Sequence, residues 1–171
     1  MDEIGLIRSP RAQRFFRPEP VSAADIEAII EVARRTGSAR NRQPWRFVCV
    51  TDPARRRELA ALGQYAQVLA GAPAVLLLLS DPDAGRDTEF DLGRVCQSIL
   101  LAAHARDLGS CPVSLYPHEH AVTAARLAGS PWPWPAHHAV ALGRPAETPA
   151  GRSAIPAGRK AVSELLWHAD G

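Results

Sequence analysis

The residues best suited to bind a polar ligand lie in one stretch, from Ser38 to Thr51. Its first part is a polar loop of sequence Ser-Ala-Arg-Asn-Arg-Gln-Pro-Trp-Arg, and its second part, Phe-Val-Cys-Val-Thr, is typical of a buried strand. Because Pro44 has no N–H and disfavours helix at the preceding residue, we expect the loop to stay extended at Gln43. A polar loop held between a helix and a strand keeps its hydrogen-bonding groups in place, so the stretch predicts a ligand-binding site.

Three arginines near the N-terminus also recur at a spacing that suits chemistry. Residues 7–16 are predicted to be helical, and Arg8, Arg11 and Arg14 would then lie on one face of that helix. Such a face is either a solvated basic surface or a clamp for an anion such as phosphate, because a guanidinium group binds phosphate oxygens in pairs. The sequence leaves both interpretations open.

Length and composition limit the class of protein. The chain has 171 residues, of which 46% are hydrophobic and 22% are charged, as in a single globular domain. A net charge of +2 gives no support for nucleic acid or an anionic membrane as a partner. No N-terminal segment resembles a signal peptide, and the longest apolar run, 72–79, is too short to cross a membrane. Cys49, Cys96 and Cys111 lie in apolar runs, which predicts buried, reduced thiols and a cytoplasmic protein.

Hydrophobic periodicity and capping signals predict the elements that position these residues. Helices are predicted at residues 24–35, 53–62, 90–107, 118–128 and 162–167, and strands at 47–51, 74–80, 111–116 and 139–143. Ser22 and Asp52 are predicted N-caps, and a proline follows Asp52 at the first helical position. Three prolines make 130–135 an extended loop, whose Trp132 and Trp134 either cover the core or stack on an aromatic substrate.

Several kinds of active site have no support in the sequence. It contains no Gly-x-Gly-x-x-Gly, no Walker loop, no Gly-x-Ser-x-Gly and no Cys-x-x-Cys. His118 and His120 are two residues apart, so they would face opposite sides of a helix and make a poor pair of metal ligands. We therefore expect no metal and no tightly bound dinucleotide.

Six short motifs, in a fixed order, resemble those of the nitroreductase family. They are Arg11-Ala12-Gln13-Arg14-Phe15-Phe16-Arg17-Pro18, the Ser38–Phe47 loop, Gly71-Ala72-Pro73-Ala74-Val75-Leu76, the stretch 98–111, Ala141-Leu142-Gly143-Arg144-Pro145, and Arg159-Lys160. The resemblance implies an α+β, nitroreductase-like fold with a central, mostly antiparallel sheet flanked by helices, in an intertwined homodimer. It also implies one domain over 1–171, with a tail from about 145 to 171 that docks on the partner subunit.

The same resemblance implies an FMN site. Arg14 corresponds to the cation near N1 and O2 of the flavin ring, where it stabilises the charge of reduced flavin, and no side chain acts as a nucleophile. The other implied contacts are Arg11, Ala12, Arg159 and Lys160 at the N-terminal and phosphate positions, Ser38, Ala39 and Asn41 from the second subunit, and the backbone N–H groups of Ser114 and Leu115 at N5 and O4. Gln64 or Gln67 is placed near the pyrimidine edge.

The implied activity is that of an FMN-dependent oxidoreductase. NADH or NADPH would pass hydride to flavin N5, and a nitroaromatic or quinone acceptor would then take its place in a ping-pong sequence. Pro10 and Ala12 stand where the family has an arginine and a serine. We therefore expect either that Arg8 takes the place of the missing arginine or that FMN binds more weakly. Two alternatives remain: an FMN-dependent dehydrogenase or oxidase of a small metabolite, and a catalytically weak flavin-binding homologue.

Overall fold

A computed structural model describes residues 2–149 and 158–169 of the chain. The helices in these residues are α1 (Glu3–Arg8), α2 (Ala23–Ala33), α3 (Pro53–Leu62), α4 (Val68–Gly71), α5 (Thr88–His104) and α6 (Ala121–Leu127). The strands are β1 (Trp45–Val50), β2 (Ala74–Ser80), β3 (Gly109–Ser114) and β4 (His138–Gly143), and short 3₁₀ turns lie at Ala39–Asn41, His118–His120 and Val162–Glu164.

The four strands form one antiparallel sheet in the order β1-β2-β4-β3. β2 lies inside the sheet and every one of its residues is buried. Its apolar sequence follows from this position, because a strand covered on both faces has no polar side to show to water. β1 and β3 are the two edge strands.

Helices cover both faces of the sheet. Leu76 and Leu78 of β2 pack with α2 and α5, whereas Leu77 and Leu79 pack with α3, α4 and α6. This alternation follows from the two-residue period of a strand. The predicted α+β fold, with an antiparallel sheet flanked by helices, is confirmed. The intertwined homodimer and the single-domain organisation stay predictions.

Local capping explains where two helices begin. The hydroxyl oxygen of Ser22 accepts a hydrogen bond from the N–H of Asp25, and the carboxylate of Asp52 accepts one from the N–H of Arg55. Each bond satisfies one of the N–H groups that a helix leaves unpaired in its first turn. α3 has the predicted bounds because both of its start signals, the Asp cap and the proline, are local.

The predicted helix at 7–16 is wrong. α1 ends at Arg8, and the chain then runs extended beside β3, with Ala12 bridged to Ser110 and Phe16 bridged to Pro145. Pro10 lacks the N–H that a continued helix needs, and the backbone finds partners at the sheet edge instead. Arg11 and Arg14 are therefore carried by an extended segment and not by one helical face.

Two glycines let this N-terminal segment pack closely on the sheet. Gly109 of β3 and Gly143 of β4 are directly paired. A Cβ atom at Gly109 would lie 2.7 Å from Cγ of Gln13, and one at Gly143 would lie 3.0 Å from Cδ1 of Phe16 and 2.6 Å from Cδ of Pro73. The separations of 2.7 Å from Gln13 and 2.6 Å from Pro73 are shorter than side-chain contacts allow, whereas the 3.0 Å separation from Phe16 is tight. The approach of the segment at Gln13 therefore requires glycine at 109, and the packing of Pro73 requires glycine at 143.

Other predictions need smaller corrections. β3 begins two residues earlier than predicted and ends at Ser114, and the predicted helix at 162–167 is only the 3₁₀ turn Val162–Glu164. Of the three cysteines, Cys111 is buried but Cys49, on the edge strand β1, is exposed. The part of the predicted tail at 150–157 and 170–171 lies outside the described residues. In the described part of the chain, no helix has the length and apolar character needed to cross a membrane.

Candidate functional site

The outer edge of β3 is open between Pro112 and Ser114. The N–H of Leu115 donates to the carbonyl of His137 at 2.8 Å, so backbone N–H groups of alternate residues, including Ser114, face away from β4. The N-terminal segment uses this edge at Ser110, whose carbonyl accepts from the N–H of Gln13 at 2.8 Å. Among residues 2–149 and 158–169, no acceptor pairs with the N–H of Ser114, which leaves it able to bind a ligand.

A cleft of 520 Å³ lies at one end of this edge. We call it the arginine cleft, after Arg8, Arg11 and Arg159 in its lining, which also includes Ala12 and Ser110. The guanidinium of Arg11 is tied to the end of α1, donating to the carbonyl oxygens of Arg8 at 2.8 Å and Pro10 at 2.9 Å. In the described part of the chain, none of the three arginines forms an ion pair with a carboxylate. Their charge is therefore available to an anion.

A second cleft, of 710 Å³, continues along the same edge. This aromatic cleft is lined by Arg14, Phe15, Tyr65, Ser114 and Tyr116. Tyr65 is 76% exposed, which is high for an aromatic side chain on a folded domain. One cation, one free backbone donor and several ring faces suit a flat ligand that carries a partial negative charge.

The aromatic cleft is also lined by Gln64 and Gln67. The amide of Gln67 donates to the carbonyl of Ala60 at 3.3 Å, within its own part of the fold. Gln64 is thus the better candidate for a hydrogen bond to a ligand in this cleft.

A third cleft, of 460 Å³, lies on the α5 side of β3. This histidine cleft is lined by Glu89, Cys96, Ser114 and His138. Oγ of Ser114 lies 3.1 Å from Nδ1 of His138, and Nε2 of His138 lies 3.1 Å from Oε2 of Glu89. Burial raises the pKa of the Cys96 thiol to about 11, so this cysteine is held in its neutral form.

The polar loop that begins at Ser38 adopts an unusual backbone. Arg40, Asn41 and Gln43 all have positive φ, between 49° and 53°. Such a conformation is disfavoured for residues other than glycine, although asparagine tolerates it better than most. The hydroxyl of Ser38 accepts from the N–H of Gln43 at 2.9 Å, which closes the loop on itself.

A buried carboxylate anchors the loop to α5. Asp91 is 1% exposed, and its Oδ2 accepts a hydrogen bond from the N–H of Ala39 at 2.9 Å. Its other oxygen lies 3.5 Å from a guanidinium nitrogen of Arg94. A buried carboxylate is costly unless it is paired, so these contacts fix the loop at one point.

Comparison with known proteins identifies the type of protein to which these clefts belong. The sequence description of the nitroreductase family matches residues 7–64 and 61–144, which is most of the chain. The chain belongs to the nitroreductase family. The resemblance seen in the sequence motifs is thereby confirmed.

Individual relatives agree with this assignment. An Archaeoglobus fulgidus protein, provisionally named an NADH dehydrogenase/NAD(P)H nitroreductase, is 30% identical over 145 residues, which cover 82% of this chain and 83% of that protein. A solved structure from Bacteroides thetaiotaomicron with the same provisional name has a TM-score of 0.82 at 22% identity, covering 96% of this chain and 95% of that one. A provisionally named nitroreductase from Desulfovibrio desulfuricans, solved in complex with FMN, has a TM-score of 0.80 at 27% identity, covering 98% and 97%.

In this nitroreductase-family chain, the predicted site residues fall into separate groups. Arg11, Ala12 and Arg159 meet at the arginine cleft, together with Arg8, while Arg14 and Ser114 meet at the aromatic cleft. Ser38, Ala39 and Asn41 line none of the three clefts of this subunit, and neither does Lys160.

Leu115 needs a correction. Its N–H is engaged by the carbonyl of His137, so the expectation that it offers a free backbone donor is wrong. The physical reason is the alternation of an antiparallel ladder: when the N–H of Ser114 faces outwards, that of Leu115 faces the neighbouring strand.

Sequence reasoning missed Asp91, Glu89 and His138. The sequence does contain a signal for Asp91. It is spaced four residues from Val95, which is spaced four from Ile99, so a carboxylate lies on the apolar face of α5. The sequence contains no such signal for Glu89 and His138. Their contacts with each other and with Ser114 depend on the register of β3 against β4 and on the position of α5.

The loop anchor gives a testable prediction. Asp91→Ala should lower the free energy of unfolding by about 1–3 kcal/mol, because the N–H of Ala39 loses its acceptor in a part-buried position. Urea denaturation measures the loss, and hydrogen exchange should become faster at the Ala39 amide. Asp83→Ala, at an exposed position, is the control and should stay within about 0.5 kcal/mol of the unsubstituted chain. Equal stability and exchange in the two variants would show that Asp91 does not hold the loop.

Proposed function

We propose that the chain is an FMN-dependent NAD(P)H oxidoreductase that reduces a nitroaromatic or quinone-type acceptor. The observation that carries the proposal is the row of cationic groups along the open edge of β3, with Arg8, Arg11 and Arg159 at one end and Arg14 at the other. Within residues 2–149 and 158–169, none of them pairs with a carboxylate. Membership of the nitroreductase family and the FMN complex of a relative support it. The activity and the acceptor class go beyond what family membership alone establishes.

The arginine cleft suits the phosphate of FMN. Three guanidinium groups without carboxylate partners provide more charge-assisted donors than one phosphate can accept. Ala12 and Pro10 line this cleft where the family pattern has a serine and an arginine, and Arg8 lines it too. The position of Arg8 in the lining supports the proposal that it takes the place of the family's arginine, and Lys160, next to Arg159 in sequence, would add to the local positive charge.

The aromatic cleft suits the flavin ring. The N–H of Ser114 would orient the ring by donating to an acceptor on its edge, and Arg14 would stabilise the negative charge that the ring carries when reduced. Bound flavin supplies the redox chemistry, taking hydride from a reduced nicotinamide and passing it to the acceptor. The chain's own part is to hold both reactants in turn over one face of the ring, where positioning supplies the rate.

We further propose that two copies of the chain complete each site. The loop residues Ser38, Ala39 and Asn41 line none of the clefts that contain Arg14, so their expected contact with the ring would come from the partner subunit. An apolar C-terminal segment, Val162 to Trp167, is available to hold the copies together, and Trp167 is 88% exposed in a single subunit. The three free thiols fit a cytoplasmic location.

The cofactor proposal is tested by an absorbance scan. The freshly purified chain should be yellow, or become so with added FMN, and NADH or NADPH should bleach the flavin band in the absence of oxygen. A colourless chain that ignores FMN would refute the proposal. Bound FMN that neither nicotinamide reduces would favour the catalytically weak homologue, and rapid oxygen consumption with a metabolite as reductant would favour the oxidase.

The phosphate contact is tested by comparing two flavins. Arg11→Ala should weaken FMN binding about 10- to 100-fold, because charge-assisted hydrogen bonds to the phosphate are lost. Binding of riboflavin, which has no phosphate, should not change, and quenching of flavin fluorescence measures both. Arg17→Ala, at a nearby exposed arginine outside the clefts, is the matched control. An equal loss for both flavins would mean that Arg11 supports the fold of the segment and not the phosphate.

The subunit proposal is tested by light scattering. The chain in solution should have about twice its 18.4 kDa mass. Leu166→Asp combined with Trp167→Asp should shift the mass towards that of one chain, because two exposed apolar side chains become charged. Val122→Asp, which changes an equally exposed apolar residue on α6, should leave the dimer intact. A chain that is monomeric at every concentration would overturn the shared site.

A further inference from the structure

We propose that Ser114, His138 and Glu89 form a proton relay that delivers a proton to the electron acceptor at the outer edge of β3. The inference rests on the proposed function, since it concerns the acceptor half of that reaction. It adds a catalytic residue, Ser114, and two positioning residues, His138 and Glu89, to a site in which no side-chain chemistry was expected.

Two hydrogen bonds join the three side chains across three elements. Ser114 of β3 is paired in register with His138 of β4, so both side chains lie on the face of the sheet that α5 covers. The Ser114 hydroxyl lies 3.1 Å from Nδ1 of His138, and Nε2 of the same ring lies 3.1 Å from the Glu89 carboxylate on α5. A hydroxyl, an imidazole and a carboxylate in series are groups that can pass a proton between them.

The two ends of this series face different surroundings. Ser114 lines both the aromatic cleft and the histidine cleft, whereas His138 and Glu89 line only the histidine cleft. The Glu89 side chain is 61% exposed and that of His138 is 32% exposed. The series therefore connects a group at the proposed reaction site with groups that water can reach.

The hydrogen bonds also set the direction of transfer. When His138 is protonated, both ring nitrogens are donors: Nε2–H donates to Glu89, and Nδ1–H donates to the Ser114 oxygen. The hydroxyl hydrogen of Ser114 then points away from His138 and can donate into the aromatic cleft. Glu89 thus stabilises the charged ring, and the charged ring prepares Ser114 to act as a proton donor.

The reaction needs such a donor. Two-electron reduction of a quinone to a hydroquinone adds one hydride, which brings the electron pair, and one proton. The hydride originates on the reduced nicotinamide, whereas the proton must come from the protein or from water. In the proposed step the O–H bond of Ser114 breaks as a new O–H bond forms on the acceptor, and the Nδ1 proton of His138 moves to the Ser114 oxygen. Neutral His138 then regains a proton from water.

In the described part of the chain, the other titratable groups near His138 lie on α5, on the residue before β4 and on the turn after β3. Glu89 and Cys96 of α5 line the same cleft as His138, and His137 lies immediately before β4, with its ring centre 6.5 Å from that of His138. His118, from the 3₁₀ turn after β3, stacks edge-on against His137 at 5.2 Å. Burial lowers the pKa of His137, with Glu89 opposing the shift and the imidazoles of His118 and His138 adding to it, and burial keeps Cys96 neutral. Glu89 is the carboxylate that contacts the His138 ring.

The kinetic test separates the two halves of the reaction in the flavin-loaded protein. Ser114→Ala and Glu89→Ala should slow flavin reoxidation by a quinone far more than flavin reduction by NADH, because only reoxidation requires a proton from the relay. Reoxidation by a quinone should become about 10- to 100-fold slower, which is the contribution of a well-placed general acid, and its solvent deuterium isotope effect should change. Ser114→Thr, which keeps a hydroxyl, should restore the rate. Glu27→Ala, at an exposed glutamate on α2, is the matched control for Glu89→Ala.

A second test does not depend on turnover. In the chain without flavin, ¹⁵N chemical shifts of neutral His138 should report a single tautomer with the proton on Nε2, since Glu89 accepts from that nitrogen and Ser114 donates to the other. Glu89→Ala should produce a mixture of both tautomers, while Glu27→Ala should not. A mixture already present in the unsubstituted chain would overturn the relay.

The outcomes distinguish the relay from the function on which it rests. A chain that binds no FMN, or whose FMN no nicotinamide reduces, refutes the proposed function, and the proton-donor role of Ser114 falls with it. A chain whose flavin is reduced normally, and which is reoxidised by quinone equally fast with Ser114→Ala, refutes the relay alone.

Discussion

The open edge of β3 is the constraint on which the rest of the site depends. An edge strand exposes unpaired N–H and C=O groups, and these invite unwanted pairing with other chains. This chain limits the exposure: the N-terminal segment pairs at Ser110, and Pro112 has no N–H to present. Ser114 is left as the outward donor. Because the three clefts border this one strand, the cations, the aromatic rings and the free donor have their relative positions set by the sheet.

The central elements were predictable because their signals are local. β2 is one apolar run, α3 begins with a cap and a proline, and both have the bounds that the sequence predicts, 74–80 and 53–62. The prediction for 7–16 fails because Pro10 lacks the N–H that a continued helix needs, a local signal that the arginine spacing does not include. The extended course of the segment after Pro10 depends on Ser110, a backbone partner that is distant in sequence.

The residues of the candidate site also differ in whether local sequence or distant contacts determine their positions. Family motifs locate Arg11, Arg14 and Ser114, and the structure brings each to a cleft on β3. The contact of Ser114 with His138 could not be read from the sequence, because it needs the exact register of β3 against β4. A shift of one residue would turn the two side chains to opposite faces. Motifs therefore locate residues that line the clefts, while register determines which side chains lie together.

The glycine pair in β3 and β4 affects the geometry of the site from outside the clefts. Gly109 and Gly143 line none of the three clefts, yet a Cβ atom would lie too close to Gln13 at the first position and too close to Pro73 at the second. Gln13 lies between Arg11 and Arg14, so a methyl group added at Gly109 would displace the segment that carries both arginines without altering either of them. On the proposed function, a genetic screen for loss of flavin would therefore also find substitutions of Gly109, which act on the position of the segment and not on a ligand contact.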